Sequence, residues 1–275
     1  MSAWLAHPLV QSAVAPFAVA FIVAWLLRPH GGILAGIGFA IAYGVAVYLI
    51  MGFQWTPLTS TRKLVLAGGG AVIAGIGIDL FMRGRAARYW LLALGGAVAA
   101  LWLIWPLLTR KEGSELALFI ALSLGYSAWL LAGLEGLNSR PVHMVAAALA
   151  LSVGTAISAL LGASALLGQL GGAVAAAVGG YGLVFLISGE FEPRSIFSAP
   201  VAISSALIGV SAMAYARLPS TALVALAVIP VLAQLPAPKN WGVLQRGLLV
   251  MLYTLPAAAV AIALTWRTSG GLPPF

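Results

Sequence analysis

Runs of about 20 apolar residues recur along the whole chain and constrain its fold more than any other feature. An α-helix rises about 1.5 Å per residue, so each run matches the roughly 30 Å hydrocarbon core of a bilayer. Hydrophobic residues fill 62% of the 275 positions and charged residues only 7%, too little charge to cover a water-soluble domain. The sequence therefore predicts an all-α fold, a polytopic transmembrane helix bundle.

Breaks at charged and Pro/Gly-rich points divide this single integral membrane domain, 1–275, into about ten predicted spans. The glycine-rich stretch 168–172 is interpreted as the break between the sixth and seventh spans, and Pro230 interrupts the short ninth. The connections are too short to form an extramembrane domain. The predicted spans are 8–27, 31–53, 64–82, 89–108, 116–137, 143–167, 170–188, 198–216, 220–235 and 246–266.

The 14 basic residues, which give a net charge of +8, are scattered among short loops. Lysine and arginine that set membrane orientation have this distribution, so we expect no nucleic-acid partner. The densest cluster is Arg83, Arg85 and Arg88, which we assign to the cytoplasm of a bacterial cell. Ten spans then place both termini in the periplasm, with the protein in the inner membrane.

Two stretches half a chain apart resemble each other, 43–53 (YGVAVYLIMGF) and 181–191 (YGLVFLISGEF). Five predicted spans separate them, and because five is odd the second copy would be inverted relative to the first. Many transporters are built from such repeats, which here would be the halves 1–138 and 139–275. The alternative is chance similarity between two apolar helices in a chain rich in Gly, Ala, Leu and Val.

Two carboxylates lie within predicted spans, Asp79 near the end of the third and Glu135 near the end of the fifth. An ionisable side chain in a membrane costs roughly 2.5–3.5 kcal/mol on insertion scales, so both are candidates for substrate binding or ion coupling. Alternatively, both are hydrated at the interface, with Asp79 paired to Arg83 one turn on. Tyr43 and Tyr181, which open the two similar stretches, are the other substrate candidates.

Two loops carry further candidates. Glu190 and Glu192 are paired carboxylates that could ligate a cation or meet a basic partner, and Arg62 and Lys63 could hold an anionic head group or phosphate. The alternative for both loops is an ordinary solvated connection.

Motifs for catalysis, metals and cofactors are missing from the sequence. It has no Cys, and its three histidines have no His or carboxylate companion at ligand spacing. It has no phosphate-binding glycine loop of the P-loop type and no Ser–His or paired-Asp arrangement for a nucleophile and base. We therefore expect no metal site, no cofactor, no catalytic residue and no enzymatic activity.

Two functions remain. The size and span count resemble those of the drug/metabolite transporter class, an architectural resemblance that assigns no residues, and the scarcity of buried charge favours a neutral, amphipathic or lipid-like solute. The alternative is a non-catalytic subunit or assembly factor of a larger membrane complex. The expected partners are membrane lipids, and other integral membrane subunits or further copies of the chain.

Overall fold

The computed structural model describes residues 7–52, 56–108, 113–189, 192–238 and 240–270. In these residues the chain is entirely helical apart from its connections, and nine helices are long and apolar enough to cross a membrane. The predicted fold class, an all-α multi-pass membrane protein, is confirmed. A π-helical turn, Val10–Val14, precedes the first of the helices, which are α1 (Ala15–Leu27), α2 (Gly32–Met51), α3 (Ser60–Phe81), α4 (Arg85–Leu108), α5 (Gly113–Gly136), α6 (Pro141–Leu161), α7 (Ala165–Ser188), α8 (Ser195–Tyr215), the short α9 (Ser220–Ala227) and α10 (Ile229–Leu232), and α11 (Val243–Ser269).

The predicted ninth span is the interrupted segment α9–α10. Its two ends lie level with the two ends of α6: the backbone N–H of Arg217 donates to the carbonyl of Gly162 at 2.8 Å, and Nη1 of Arg140 donates to the carbonyl of Gln234 at 2.7 Å. The segment therefore runs alongside the whole of α6, and its apolar helical part, Ser220–Leu232, is shorter than the nine long helices.

The interruption lies at Val228, two residues before Pro230, whose missing N–H breaks the helical hydrogen-bond ladder. The carbonyl of Ala227 accepts a hydrogen bond from Nε1 of Trp129 on α5, at 2.7 Å. The carbonyl of Ala233, beyond α10, lies 2.7 Å from Nδ1 of His143 on α6. Irregular backbone is tolerated at membrane depth when neighbouring side chains satisfy it in this way.

The predicted break at 168–172 is wrong, because α7 runs through it and the chain turns at 162–164 instead. Ser164 caps α7 by accepting a hydrogen bond from the backbone N–H three residues on, at 3.4 Å. A Cβ atom at Gly171 would lie 2.8 Å from Cα of Ala156 on α6. This glycine allows two helices to pack closely and does not end one.

Helix α8 is the centre of the bundle. It contacts every helix from α2 to α7 as well as α9, and 94% of its most apolar stretch is buried, against 22% for α3 and α11. Glycines on its neighbours allow this burial: a Cβ at Gly75 of α3 would lie 2.6 Å from the carbonyl oxygen of Ser195, and one at Gly36 of α2 would lie 2.5 Å from Cγ2 of Ile196. The start of α8 is therefore held between two helices.

The ends of α3, α5 and α7 and the starts of α4, α6 and α8 lie together at one end of the bundle. Contacts between these segments include Nη2 of Arg85 with the Gly136 carbonyl at 3.1 Å and Nδ2 of Asn138 with Oγ of Ser195 at 3.4 Å. We call this the arginine-rich end, because Arg83, Arg85, Arg88, Arg140 and Arg194 lie in it.

The two-halves scheme stays a prediction. Helices α1 and α2 pack against each other, as do α6 and α7, their counterparts in that scheme. Helix α6 also packs along α11, whereas α1 and α5, the counterparts of that pair, make no contact of comparable extent in the described part of the chain.

Candidate functional site

The two carboxylates singled out from the sequence meet at the start of α8, in a polar cluster that we call the α8 anchor. Asp79 comes from the last turn of α3 and Glu135 from the last turn of α5. The structure thus brings together two residues 56 positions apart, 79 and 135, that the sequence could only name separately. The members of the α8 anchor are Asp79, Arg88, Glu135, Asn138, Ser195 and Ser198.

Asp79 caps α8 from another helix. Its Oδ1 accepts a hydrogen bond from the backbone N–H of Ser195 at 3.2 Å, and its Oδ2 accepts one from Ile196 at 2.9 Å. The first N–H groups of a helix have no partner within it, and the helix dipole makes this end positive. A fully buried carboxylate is therefore favourable here, and it ties α3 to α8.

Arg88, in the first turn of α4, supplies the balancing charge. Its Nη2 lies 2.6 Å from Oδ1 of Asp79 and 3.3 Å from the carbonyl of Ile78, and its Nη1 lies 3.9 Å from Oε1 of Glu135. The predicted partner, Arg83, is not the residue that reaches Asp79. Arg83 follows α3 directly in the connection to α4, whereas Arg88 lies on α4 as it returns antiparallel beside the last turn of α3.

Glu135 accepts hydrogen bonds from three polar side chains. Oγ of Ser195 lies 3.0 Å from its Oε2, Oγ of Ser198 lies 3.2 Å from the same oxygen, and Nδ2 of Asn138 lies 2.6 Å from Oε1. Its side chain is only 4% exposed. The cluster thus sets two carboxyl groups against one guanidinium, and the positive end of α8 also favours negative charge there.

An apolar groove begins directly beside the α8 anchor. It has a volume of about 410 Å³ and lies between α3 and α4, with α5 and α8 as its floor. Ile78 precedes Asp79, Leu92 lies one turn beyond Arg88, and Leu131 lies one turn before Glu135, so the helices that carry the charges also line the groove. From Ala67 to Ile78 on α3 the groove is roughly 16 Å long, at 1.5 Å per residue.

Lys63 lies at the other end of this groove. Its Nζ donates to the carbonyl of Trp102 at 2.9 Å and lies 5.5 Å from the centre of the indole ring. The Trp102 carbonyl would normally accept from the N–H four residues on, but that residue is Pro106, which has none. Lys63 therefore supplies the donor that Pro106 lacks. Its predicted role as a head-group ligand stays a prediction.

Tyr43 and Tyr181 belong to one aromatic cluster against α8. Tyr181 of α7 stacks on Phe197 of α8 with ring centres 4.3 Å apart, and Phe39 of α2 meets the same ring edge-on at 5.9 Å. Tyr43 stacks on Phe39 at 6.2 Å. The two tyrosines are thus linked through two phenylalanines, as buried packing groups that join α2 and α7 to α8.

The remaining predicted loop residues lie apart from the α8 anchor. Arg62 lies in the first turn of α3, and its Nη1 donates to the carbonyl of Pro57 in the preceding loop, at the end of the bundle opposite the arginine-rich end. Glu192 borders a cavity between α6, α7 and α11, and Glu190 lies outside the described residues. A group of three or more His, Cys, Asp or Glu side chains that could hold a metal is not found in the described ranges.

Four members of the α8 anchor were not predicted as site residues, Arg88, Asn138, Ser195 and Ser198, and Arg88 is the charged one among them. The connection between α3 and α4 is only 82–84, so the two helices form an antiparallel hairpin. Asp79 lies four residues before the centre of that turn and Arg88 five residues after it, which places their side chains level. Pairing the charges across the turn would have found the contact.

The sequence shows no match to a protein-family model, and none to a curated protein. The geometry of the α8 anchor and of the groove beside it is therefore the basis for assigning a function to this multi-pass membrane protein.

Proposed function

We propose that the protein is a small transporter of a neutral, amphipathic or lipid-like solute, which enters laterally from the bilayer through the groove between α3 and α4. The observation that carries this proposal is the combination of an apolar groove of about 410 Å³ with charged groups at both of its ends. A solute with an apolar body and a polar tip fits such a surface, because the body displaces lipid while the tip reaches Arg88 or Lys63.

The α8 anchor gives this groove a means of changing shape. Helix α8 forms part of its floor through Ile203, and the start of α8 is held by hydrogen bonds to carboxylates of α3 and α5. Weakening those bonds would let α3 and α8 separate at the arginine-rich end. In the proposed orientation that end lies in the cytoplasm of a bacterial cell, in accord with the distribution of positive charge.

Two adjacent glycines of α3 provide a matched test. Gly70 lines the groove and Gly69 does not, and a Cβ atom at either position meets no atom within 4 Å. Leucine at 70 would fill the groove, whereas leucine at 69 would point away from it, with the same gain in helix propensity. Both variants are reconstituted in proteoliposomes, and the flux of a fluorescently labelled short-chain lipid is measured.

We expect Gly70→Leu to lower that flux about tenfold, the factor that corresponds to 1.4 kcal/mol, and Gly69→Leu to leave it unchanged. Equal flux in the wild type and in both variants would contradict the groove as the solute path. Wild-type flux no higher than that of protein-free vesicles would contradict transport of this class of solute.

A second function is favoured by one specific observation: the carboxylates of Asp79 and Glu135 already have intramolecular partners. A chain whose buried charges serve only to hold its own helices suits a non-catalytic subunit of a larger membrane complex. Purification in mild detergent from the native membrane tests this function. Stoichiometric integral membrane partners would support it, and a pure monomer or homo-oligomer would count against it.

A further inference from the structure

We propose that the arginine-rich end carries a binding site for an anionic phospholipid, in the cavity between α6, α7 and α11. This cavity has a volume of about 430 Å³, within the range of small-molecule sites. It is separate from the groove of the proposed transport path, which α3, α4, α5 and α8 line. The proposal therefore does not depend on the proposed function.

Two arginines give the cavity its charge. Arg140 uses Nη1 to reach the Gln234 carbonyl at 2.7 Å, which leaves its other donors available, and Nε of Arg246 is buried without a hydrogen-bond partner in the described part of the chain. Glu192 also lines the cavity. Two guanidiniums and one carboxylate leave a net charge of +1, which suits a phosphodiester with a single negative charge.

Two helices begin at this cavity. Pro141 is the first residue of α6 and Val243 the first of α11, and both line it. The positive ends of two helix dipoles therefore lie beside the same space as the two guanidiniums. Gln245 holds the start of α11 in place, because its Oε1 accepts a hydrogen bond from the Gly242 backbone N–H at 3.1 Å.

The cavity continues into an apolar groove along the membrane-spanning part of α6, α7 and α11. This second groove has a volume of about 120 Å³ and shares Val142 with the cavity. Two of its other lining residues are chain neighbours of residues that line the cavity: Leu186 is next to Phe185, and Gly247 is next to Arg246. A charged pocket with an apolar groove beside it matches a lipid head group with its acyl chain. A free phosphate would occupy the pocket and leave the apolar groove without a role.

The test measures lipid retention by native mass spectrometry of the intact protein in detergent. The probes are phosphatidylglycerol, phosphatidylcholine and glycerophosphoglycerol. They carry an anionic head group with acyl chains, a zwitterionic head group with acyl chains, and the same anionic phosphodiester without acyl chains. Arg246→Gln removes one guanidinium without disturbing the contact between Arg140 and Gln234. Its control is Arg267→Gln, an exposed arginine at the other end of α11.

A further variant, Gly247→Leu, blocks the apolar groove without touching a charge. A Cβ at Gly247 lies at ordinary contact distances, 3.7 Å from Val142 and 3.8 Å from Leu186, so a larger side chain extends into the groove. This variant keeps the proposal testable if Arg246→Gln does not fold.

We expect the wild type to retain phosphatidylglycerol about tenfold more than phosphatidylcholine, and Arg246→Gln to lower that retention about tenfold, the effect of losing one charge-assisted hydrogen bond. Gly247→Leu should lower it as well, and Arg267→Gln should not. Equal retention by Arg246→Gln and the wild type would overturn the proposal. Equal binding of phosphatidylcholine would overturn the anionic preference. Glycerophosphoglycerol that binds as tightly as the lipid would make the site one for a soluble phosphodiester.

Discussion

The two halves of the central helix α8 are held in different ways. Its first turn is fixed by charged groups, since Asp79 and Glu135 accept hydrogen bonds from the backbone and side chains of Ser195 and its neighbours. Further along, the hydroxyls of Ser205 and Ser211 are just as deeply buried, yet they have no hydrogen-bond partner in the described part of the chain. Burial alone therefore does not identify the polar groups that hold α8 in place. The charge and the number of their hydrogen-bond partners do.

Among substitutions that test this difference between the two halves of α8, Asp79→Asn is expected to lower the free energy of unfolding most. The amide keeps the size of the side chain but leaves Arg88 without its ion-pair partner at 2.6 Å. Removing one partner of a buried pair typically costs about 3–5 kcal/mol. We expect a loss of free energy of unfolding in that range, measured by unfolding in mixed detergent and SDS micelles. A loss below about 1 kcal/mol would mean that the anchor does not hold α8.

The next largest effect is expected from Gly75→Ala, which inserts a methyl group between α3 and the start of α8. That Cβ would lie 2.6 Å from the Ser195 carbonyl and 2.7 Å from Cα of Ile196, so backbone must move. Overpacking of this kind costs about 2–3 kcal/mol. The control is Gly77→Ala on the same helix, where a Cβ meets nothing within 4 Å and which should be neutral or slightly stabilising.

A smaller loss, about 1–2 kcal/mol, is expected from Lys63→Met, because the Trp102 carbonyl then stays buried without a donor. Restoring the missing backbone N–H should offset that loss. Lys63→Met is therefore expected to cost less in a Pro106→Ala background than in the wild type, in the same unfolding assay. Equal losses in the two backgrounds would show that Lys63 stabilises the protein by another route.

The smallest effect is expected from Ser205→Ala, which removes a buried hydroxyl from the part of α8 without charged partners. Hydrogen bonds between membrane helices are worth about 0.6 kcal/mol on average, and this hydroxyl makes none in the described residues. The free energy of unfolding should change by less than that amount. A loss above about 2 kcal/mol would remove the distinction between the two halves of α8.

Much of the fold could be predicted because span length is a local property. A run of apolar residues has to match the bilayer wherever it lies in the chain, so the nine long helices and the interruption at Pro230 were predictable. The continuity of α7 through 168–172 was not predictable, because the sequence at Gly171 cannot distinguish a helix end from a glycine that packs closely against Ala156 of a neighbouring helix. Close packing of that kind depends on the tertiary structure.

The candidate site was predicted in part. Asp79 and Glu135 were identified because a carboxylate in an apolar span is costly, which is visible in the sequence. Their common position at the start of α8 was not visible, because it depends on how α3 and α5 pack around that helix. The cavity at Arg140 and Arg246 was missed for the same reason, since each arginine alone resembles an ordinary interfacial residue.

A double-mutant cycle between Asp79→Asn and Arg88→Gln tests most directly whether paired charges hold the central helix. The free energies of unfolding of the wild type, both single variants and the double variant give the coupling energy between the two side chains. We predict a coupling of about 1.5 kcal/mol or more, as for close charge pairs that exclude water. Additive losses, to within about 0.5 kcal/mol, would contradict the α8 anchor as a coupled unit.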